Sequence, residues 1–267
     1  MIKQLVLLNA LLISVTAFAS SPDYYTVHDD NVSASKASID PLQSFTSTVQ
    51  QAVSEAINLM NWDHHNQTLE DPTVPYNRKT QYGTWVTAND GTCQNTRAKV
   101  LMRQSQVPVT FNDGGCTVVN GQWQDPYSDQ QYTQASDLQI DHVVPLKNSY
   151  MNGGWQWDAY KRCLYANFLA NDFHLLAVNG HDNMKKGDNG PDQFMPENQA
   201  FSCKYLSIWL KIKLIWNLAL PPSEAQAIEQ LAQQNHCDTS ALSMAAQDLR
   251  SQRQFILTNM NFCKASE

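Results

Sequence analysis

Leu138-Gln139-Ile140-Asp141-His142-Val143-Val144-Pro145-Leu146, then Phe173-His174-Leu175-Leu176-Ala177-Val178, then Asn183-Met184-Lys185-Lys186-Gly187-Asp188 form the stretch whose reading decides the fold. The first two segments are apolar runs of strand length, and the third is a short helix-like turn. Among their side chains are the carboxylate of Asp141, the imidazole of His142, the amide of Asn183 and the lysine of Lys186. On an extended segment Asp141 and His142 face opposite sides, so one can hold a metal while the other approaches a phosphate. The amide oxygen of Asn183 offers a second hard ligand. Oxygen ligands with several retained waters suit Mg²⁺ better than Zn²⁺. Phosphodiester cleavage needs an activated water, charge neutralisation at the phosphate and help for the leaving oxygen. One divalent metal and one imidazole supply these.

Outward from this stretch, Asn152-Gly153-Gly154 breaks the chain between the two runs. Trp157 to Asn171 then reads as a helix, with Trp157, Tyr160, Leu164 and Phe168 on one core-facing stripe. Upstream, Tyr76 to Tyr127 reads as short strands with glycine punctuation, beginning with Tyr82-Gly83-Thr84-Trp85-Val86. Thr96 to Arg103 is helix-compatible. Asn112-Asp113-Gly114-Gly115 is a hairpin turn between Val107–Phe111 and Cys116–Val119, and Asn120-Gly121-Gln122-Trp123 offers a second turn. Downstream, Phe201 to Leu218 reads as an apolar helix ended by Pro221-Pro222. Ser223-Glu224-Ala225-Gln226 is a capping box that opens the next helix. A last helix is expected from about Ser240 to Asn261.

The N-terminus reads as an export signal: Lys3, an apolar Leu5 to Val15, and Ala17-Phe18-Ala19 as the cleavage site. That run is shorter than the roughly 20 residues a membrane span needs. The protein is therefore expected to be secreted or periplasmic, with no membrane attachment after cleavage. Ser20 to Asp40 is a polar leader, and Pro41 opens an amphipathic helix through Met60. Asp63-His64-His65 has no third ligand at helical spacing and is read as solvated.

Six cysteines in an exported chain favour three disulfides over metal or redox chemistry, since no CxxC is present. A Cys93–Cys116 bridge would tie the hairpin to the segment before it. Cys203 and Cys237 fall on adjacent ends of an antiparallel helical hairpin. Cys163 and Cys263 remain, and would pin the last helix to the central insert. A net charge of −7 argues against a nucleic-acid coat protein, but not against an enzyme that meets a few phosphates locally.

The ordered set Asp141-His142-Val143-Val144-Pro145, His174-Leu175-Leu176-Ala177-Val178 and Asn183-Met184-Lys185-Lys186-Gly187-Asp188 resembles the HNH nuclease signature on a ββα-metal finger. More narrowly, the chain resembles secreted bacterial HNH proteins related to the C-terminal domain of GmrSD-type restriction enzymes. The likeness runs from about Tyr76 to Cys237. It includes Tyr82-Gly83-Thr84-Trp85, Cys93 with Thr96-Arg97, Trp123 with Asp125-Pro126-Tyr127, and Cys203-Lys204-Tyr205 with Trp209.

The resemblance implies His142 as general base, with Asp141 and Asn183 holding the metal, Mg²⁺ or Mn²⁺. It implies Lys186 near the phosphate, with Lys185, Lys147 and Arg97 as looser contacts. His174 stands where the family motif has Asn. It is carried as a second catalytic position, with bracing of the His142 loop, metal binding or plain packing as alternatives.

The expectation is an α+β fold: a ββα-metal core, an N-terminal strand-rich subdomain and C-terminal helices, stapled by disulfides. The expected organisation is a signal peptide over 1–19, leader and helix over 20–70, an HNH nuclease domain over 71–240, and a C-terminal helix and tail over 241–267. The expected activity is metal-dependent hydrolysis of DNA, with RNA as a second substrate, at low sequence specificity because no base-reading module is present. No obligate protein partner is evident. The alternative is a non-catalytic secreted binding protein with Trp85, Trp123, Trp155 and Trp157 on one face.

Overall fold

The computed structural model describes residues 71–264. The export signal, the leader, the Pro41–Met60 helix and Asp63-His64-His65 lie outside them. Among the described residues the chain runs α1 (Arg78–Tyr82), α2 (Thr96–Gln104), β1 (Thr110–Phe111), β2 (Val118–Gln124), β3 (Gln131–Gln134) and β4 (Leu138–His142). It continues through α3 (Leu146–Met151), α4 (Ala159–Ala166), β5 (Leu175–Asn179), α5 (Gly180–Lys186), α6 (Ser202–Trp216), α7 (Pro222–Gln234), α8 (Thr239–Leu242) and α9 (Ala246–Thr258). This is an α+β fold of two small antiparallel sheets, in the orders β1-β2-β3 and β4-β5. The expected bridges are formed: Cys93–Cys116, Cys163–Cys263 and Cys203–Cys237. No helix among the described residues is long and apolar enough to cross a membrane.

The β4-β5 ladder explains the unbroken apolar runs. Its register pairs Ile140 with Ala177, Asp141 with Leu176 and His142 with Leu175. Leu138, Ile140, Leu175 and Ala177 face a core shared with Leu101 of α2 and Trp123 of β2. Leu176 and Val178 face a larger core with Tyr205, Trp209 and Trp216 of α6. A strand covered on both faces has no need of polar alternation. β5 runs directly into α5, so strand, strand and helix form one unit although α3 and α4 are inserted between the strands.

Several local expectations are corrected. Tyr82 to Val86 is not a strand. α1 is capped at its start by the Asn77 side chain, which accepts from Thr80 N, and stops at Gly83, whose φ of 70° favours glycine. Asn120 to Trp123 is not a turn, because β2 runs through it with a register shift. A Cβ at Gly121 would come within 2.5 Å of the Trp123 ring, so glycine there permits close packing rather than reversal. The Trp157–Asn171 helix is only Ala159–Ala166, started by Asp158 accepting from Lys161 N.

The capping box at Ser223 does not form. α7 begins at Pro222 with no side-chain cap, and Glu224 turns inward to Lys213 at 2.9 Å, Trp209 Nε1 and Asn148 Nδ2. The last helix is split into α8 and α9. The four indoles make no common exposed face. Trp123 is buried with Nε1 donating to Leu101 O, and Trp157 packs on Tyr165 and Trp216.

Candidate active site

Adjacent positions on β4 send Asp141 and His142 to opposite sides of the ladder, as strand geometry requires. His142 lies against the C-terminal end of α4, where its Nε2 meets Ala166 O at 2.9 Å. A carbonyl only accepts, so Nε2 carries the proton and Nδ1 keeps its lone pair. Nδ1 has no protein partner and, unlike Nδ1 of His174, is not sealed from solvent. Burial holds the imidazole well below its ordinary pKa, and the charges of Arg78 and Lys186 push the same way. The side chain is thus a neutral base with its accepting nitrogen open.

Trp85 lies flat on the same ring, centroids 5.3 Å apart and planes within 6°. Its backbone is fixed on both sides by Asn167 of the α4 cap. Asn167 Oδ1 accepts from Val86 N at 2.9 Å, and its Nδ2 donates to Thr84 O at 3.2 Å.

On the other side, Asp141 Oδ1 accepts from Lys186 Nζ at 2.8 Å and Oδ2 from the Tyr127 hydroxyl at 2.6 Å. Lys186 also donates to His142 O at 3.0 Å. Burial raises the Asp141 carboxyl pKa and lowers that of the Lys186 ammonium, and their mutual attraction opposes both shifts. Tyr127 is delivered by a loop that Asp125 ties down, accepting from Tyr127 N, Ser128 Oγ and Asn179 N. Asn183 of α5 donates from Nδ2 to Gln139 Oε1 at 2.7 Å, which leaves its Oδ1 without a protein partner. Asp141, His142, Asn183 and Lys147 line one cleft of about 420 Å³.

The fit of these residues to a divalent ion follows from that donor set. A carboxylate offers about four acceptor sites, so Asp141 keeps capacity beyond Lys186 and Tyr127, and Asn183 Oδ1 is open. Two oxygen ligands with the other positions left to water and phosphate oxygens is the pattern Mg²⁺ takes. No group of three or more His, Cys, Asp or Glu side chains among the described residues could hold a metal.

The remaining expected residues separate by position. His174 lies outside that cleft, 1% exposed, with Nε2 on Tyr165 O at 2.8 Å and its ring against Tyr165, Phe168 and Trp216. Its backbone carbonyl accepts from Val143 N, so it braces the segment after His142. Lys186 is fully buried and is held by Asp141 rather than facing solvent. Arg97 Nη2 donates to Ala135 O and Leu138 O, fixing the start of β4. Lys147 pairs with Asp188 and Lys185 with Glu197, all exposed. Sequence reasoning missed the roles of Tyr127, Trp85, Gln139 and Arg78. Tyr127 and Trp85 lay in the segments that carried the resemblance; Arg78 and Gln139 carried no such signal.

Residues 98–228 match the family described as GmrSD restriction endonucleases, C-terminal domain. An uncharacterized secreted protein of Arthroderma benhamiae is 37% identical over 163 residues, which cover 61% of this chain and 76% of that protein. No solved structure matches the chain. At that identity and coverage, the chain belongs to one family with the secreted Arthroderma protein, and its central domain is related to the C-terminal domain of GmrSD restriction endonucleases.

Proposed function

We propose that this protein is an exported, HNH-type endonuclease that hydrolyses phosphodiester bonds of DNA, with RNA as a second substrate. The observation that carries the reading is His142. It is a neutral imidazole, fixed by one nitrogen on Ala166 O and open at the other, in a cleft shared with Asp141 and Asn183. The relation to a restriction endonuclease domain supports nucleic acid as substrate. The secreted relative and the three disulfides support a location outside the cytoplasm.

In this mechanism Nδ1 of His142 takes the proton of the attacking water. Ala166 O holds the ring in the required tautomer and stabilises the imidazolium that forms. Asp141 and Asn183 would hold Mg²⁺ or Mn²⁺, which when bound stabilises charge on the phosphate and the leaving oxygen. Lys186 and Tyr127 orient Asp141. Arg78, in the same cleft as His142, supplies positive charge, so activity should fall as salt rises. His174 acts through the backbone of Val143, as a positioning residue.

The test is plasmid degradation by the mature protein. Cleavage is expected with Mg²⁺ or Mn²⁺, none in chelator, and a drop of about 10²–10⁴-fold in His142→Ala with the melting transition retained. A His142→Ala protein as active as the parent refutes the assignment.

A further inference from the structure

We infer that a second cleft beside His142, walled by Trp85, is a nucleobase subsite that takes an unpaired base next to the phosphate being cut. The substrate class is then single-stranded or locally opened nucleic acid. This inference rests on the phosphodiesterase reading of His142 and adds what that reading leaves open.

The cleft holds about 320 Å³ and is lined by Trp85, Thr84, Gly83 and Leu146, with Arg78 and Lys79 at its rim. It shares Arg78, His142 and Leu146 with the Asp141–Asn183 cleft. The two clefts differ in chemistry. Carboxylate, amide and lysine line the first and suit a phosphate with its cation, whereas the second has a mainly apolar wall and offers a phosphate little. A polymer whose backbone crosses His142 would therefore present a phosphate to one side and its neighbouring base to the other.

Trp85 is built for contact rather than left at the surface by chance. Its neighbours on either side are tied to one Asn167 side chain, and the preceding helix is tied to α4 by Arg162 Nε on Gln81 O. The indole remains partly exposed while lying flat on the imidazole. Arg78 and Lys79 make no ion pair or hydrogen bond through their side chains among the described residues, and Arg78 is close enough to act on His142 electrostatically. An aromatic wall with cations beside it is the pairing that single-strand binders use: a base stacks and its backbone meets positive charge. A base inside a duplex has both faces covered by its neighbours, so it can enter only after it is opened.

The experiment uses single-stranded oligonucleotides of one sequence, each with one abasic position, and the matching duplex. With parent protein and Mn²⁺, an abasic position is expected to suppress cutting at one neighbouring phosphate by between about fivefold and about 150-fold, the range of a single stacked base. The duplex should be cut more slowly than the single strand. Trp85→Leu should cut the intact strand with raised KM and lose the abasic discrimination, and Trp85→Phe should keep it. Cutting indifferent to the abasic position, or a duplex cut as fast as the single strand, overturns the subsite.

A binding arm separates this outcome from failure of the cleavage reading. His142→Ala protein with and without Trp85→Leu is titrated with labelled single strand by fluorescence anisotropy. Weaker binding on loss of Trp85 supports the subsite, and equal binding overturns it. If the parent cuts nothing while Trp85-dependent binding persists, the phosphodiesterase reading fails and the base site stands.

Discussion

Lys186→Met removes the ammonium that holds Asp141 in place, and its consequences can be worked from the structure. Lys186 is 0% exposed and Asp141 4%. The methionine chain fills similar volume but leaves Asp141 Oδ1 and His142 O without the donor they share. Breaking a buried pair by removing one partner costs about 3–5 kcal/mol, because the other charge stays buried uncompensated. For a domain of this size each kcal/mol moves the melting point by about 2–4 °C, so a fall of roughly 6–20 °C is expected. The double variant Asp141→Asn/Lys186→Met should recover part of it, since no charge is then stranded.

A second readout concerns the metal. In the parent, Lys186 is paired with Asp141, and under the proposed mechanism a divalent ion would have to share that carboxylate with an ammonium. In Lys186→Met that competing ammonium is gone. Mn²⁺ should therefore raise the melting point of the variant by more than that of the parent, since a ligand binding only the folded state stabilises it by mass action. The assay is thermal unfolding followed by circular dichroism, in chelator and in Mn²⁺. A variant melting within about 2 °C of the parent, less than 1 kcal/mol is expected to cause, refutes the account of the pair. Equal Mn²⁺ shifts in both proteins refute the competition for Asp141.

Burial brings the His174 pKa down to about 3 from its ordinary 6.5. The unfolded chain then binds the extra proton first, so stability is full above about pH 6.5 and falls progressively toward pH 3. At about 1.36 kcal/mol per pKa unit the loss approaches 5 kcal/mol, and His174→Phe should flatten this part of a stability–pH curve measured by denaturant titration; an unchanged slope argues against it. Cys163→Ser/Cys263→Ser opens a bridge spanning 100 residues and should cost about 4–5 kcal/mol. Cys163 lies on α4, whose Tyr165 and Ala166 carbonyls hold His174 and His142, so cleavage should decline before the protein unfolds in denaturant. An unchanged denaturation midpoint would count against that role for the bridge.

Elements with a local signal were legible. β4, β5 and α5 follow from apolar runs of strand length and an adjoining polar turn. The 110–118 hairpin follows from Asn-Asp-Gly-Gly, and its bulged register does not disturb it. The bridges follow from where cysteines fall on neighbouring elements. The misread segments are those where a side chain had two uses. Ser223-Glu224-Ala225-Gln226 fits a capping box, but α7 already starts at Pro222, so Ser223 lies inside its first turn while Glu224 turns to Lys213 and Trp209 in the core. Gly121 looks like a turn but makes room for Trp123.

By itself the sequence determined which chemical groups this protein owns and their order along the chain: a carboxylate beside an imidazole, then an amide, then a lysine. That much is local, because strand alternation alone sends Asp141 and His142 to opposite faces. Only the tertiary structure decided what each group is free to do. Asp141 is engaged by Tyr127, 14 residues before it, and by Lys186, 45 after it. His142 is fixed by Ala166 and covered by Trp85, and His174 is enclosed by α4 and α6. The physical reason is that protonation, tautomer and free lone pairs depend on burial and on which donors arrive from distant elements. Neither is written in the spacing of the residues.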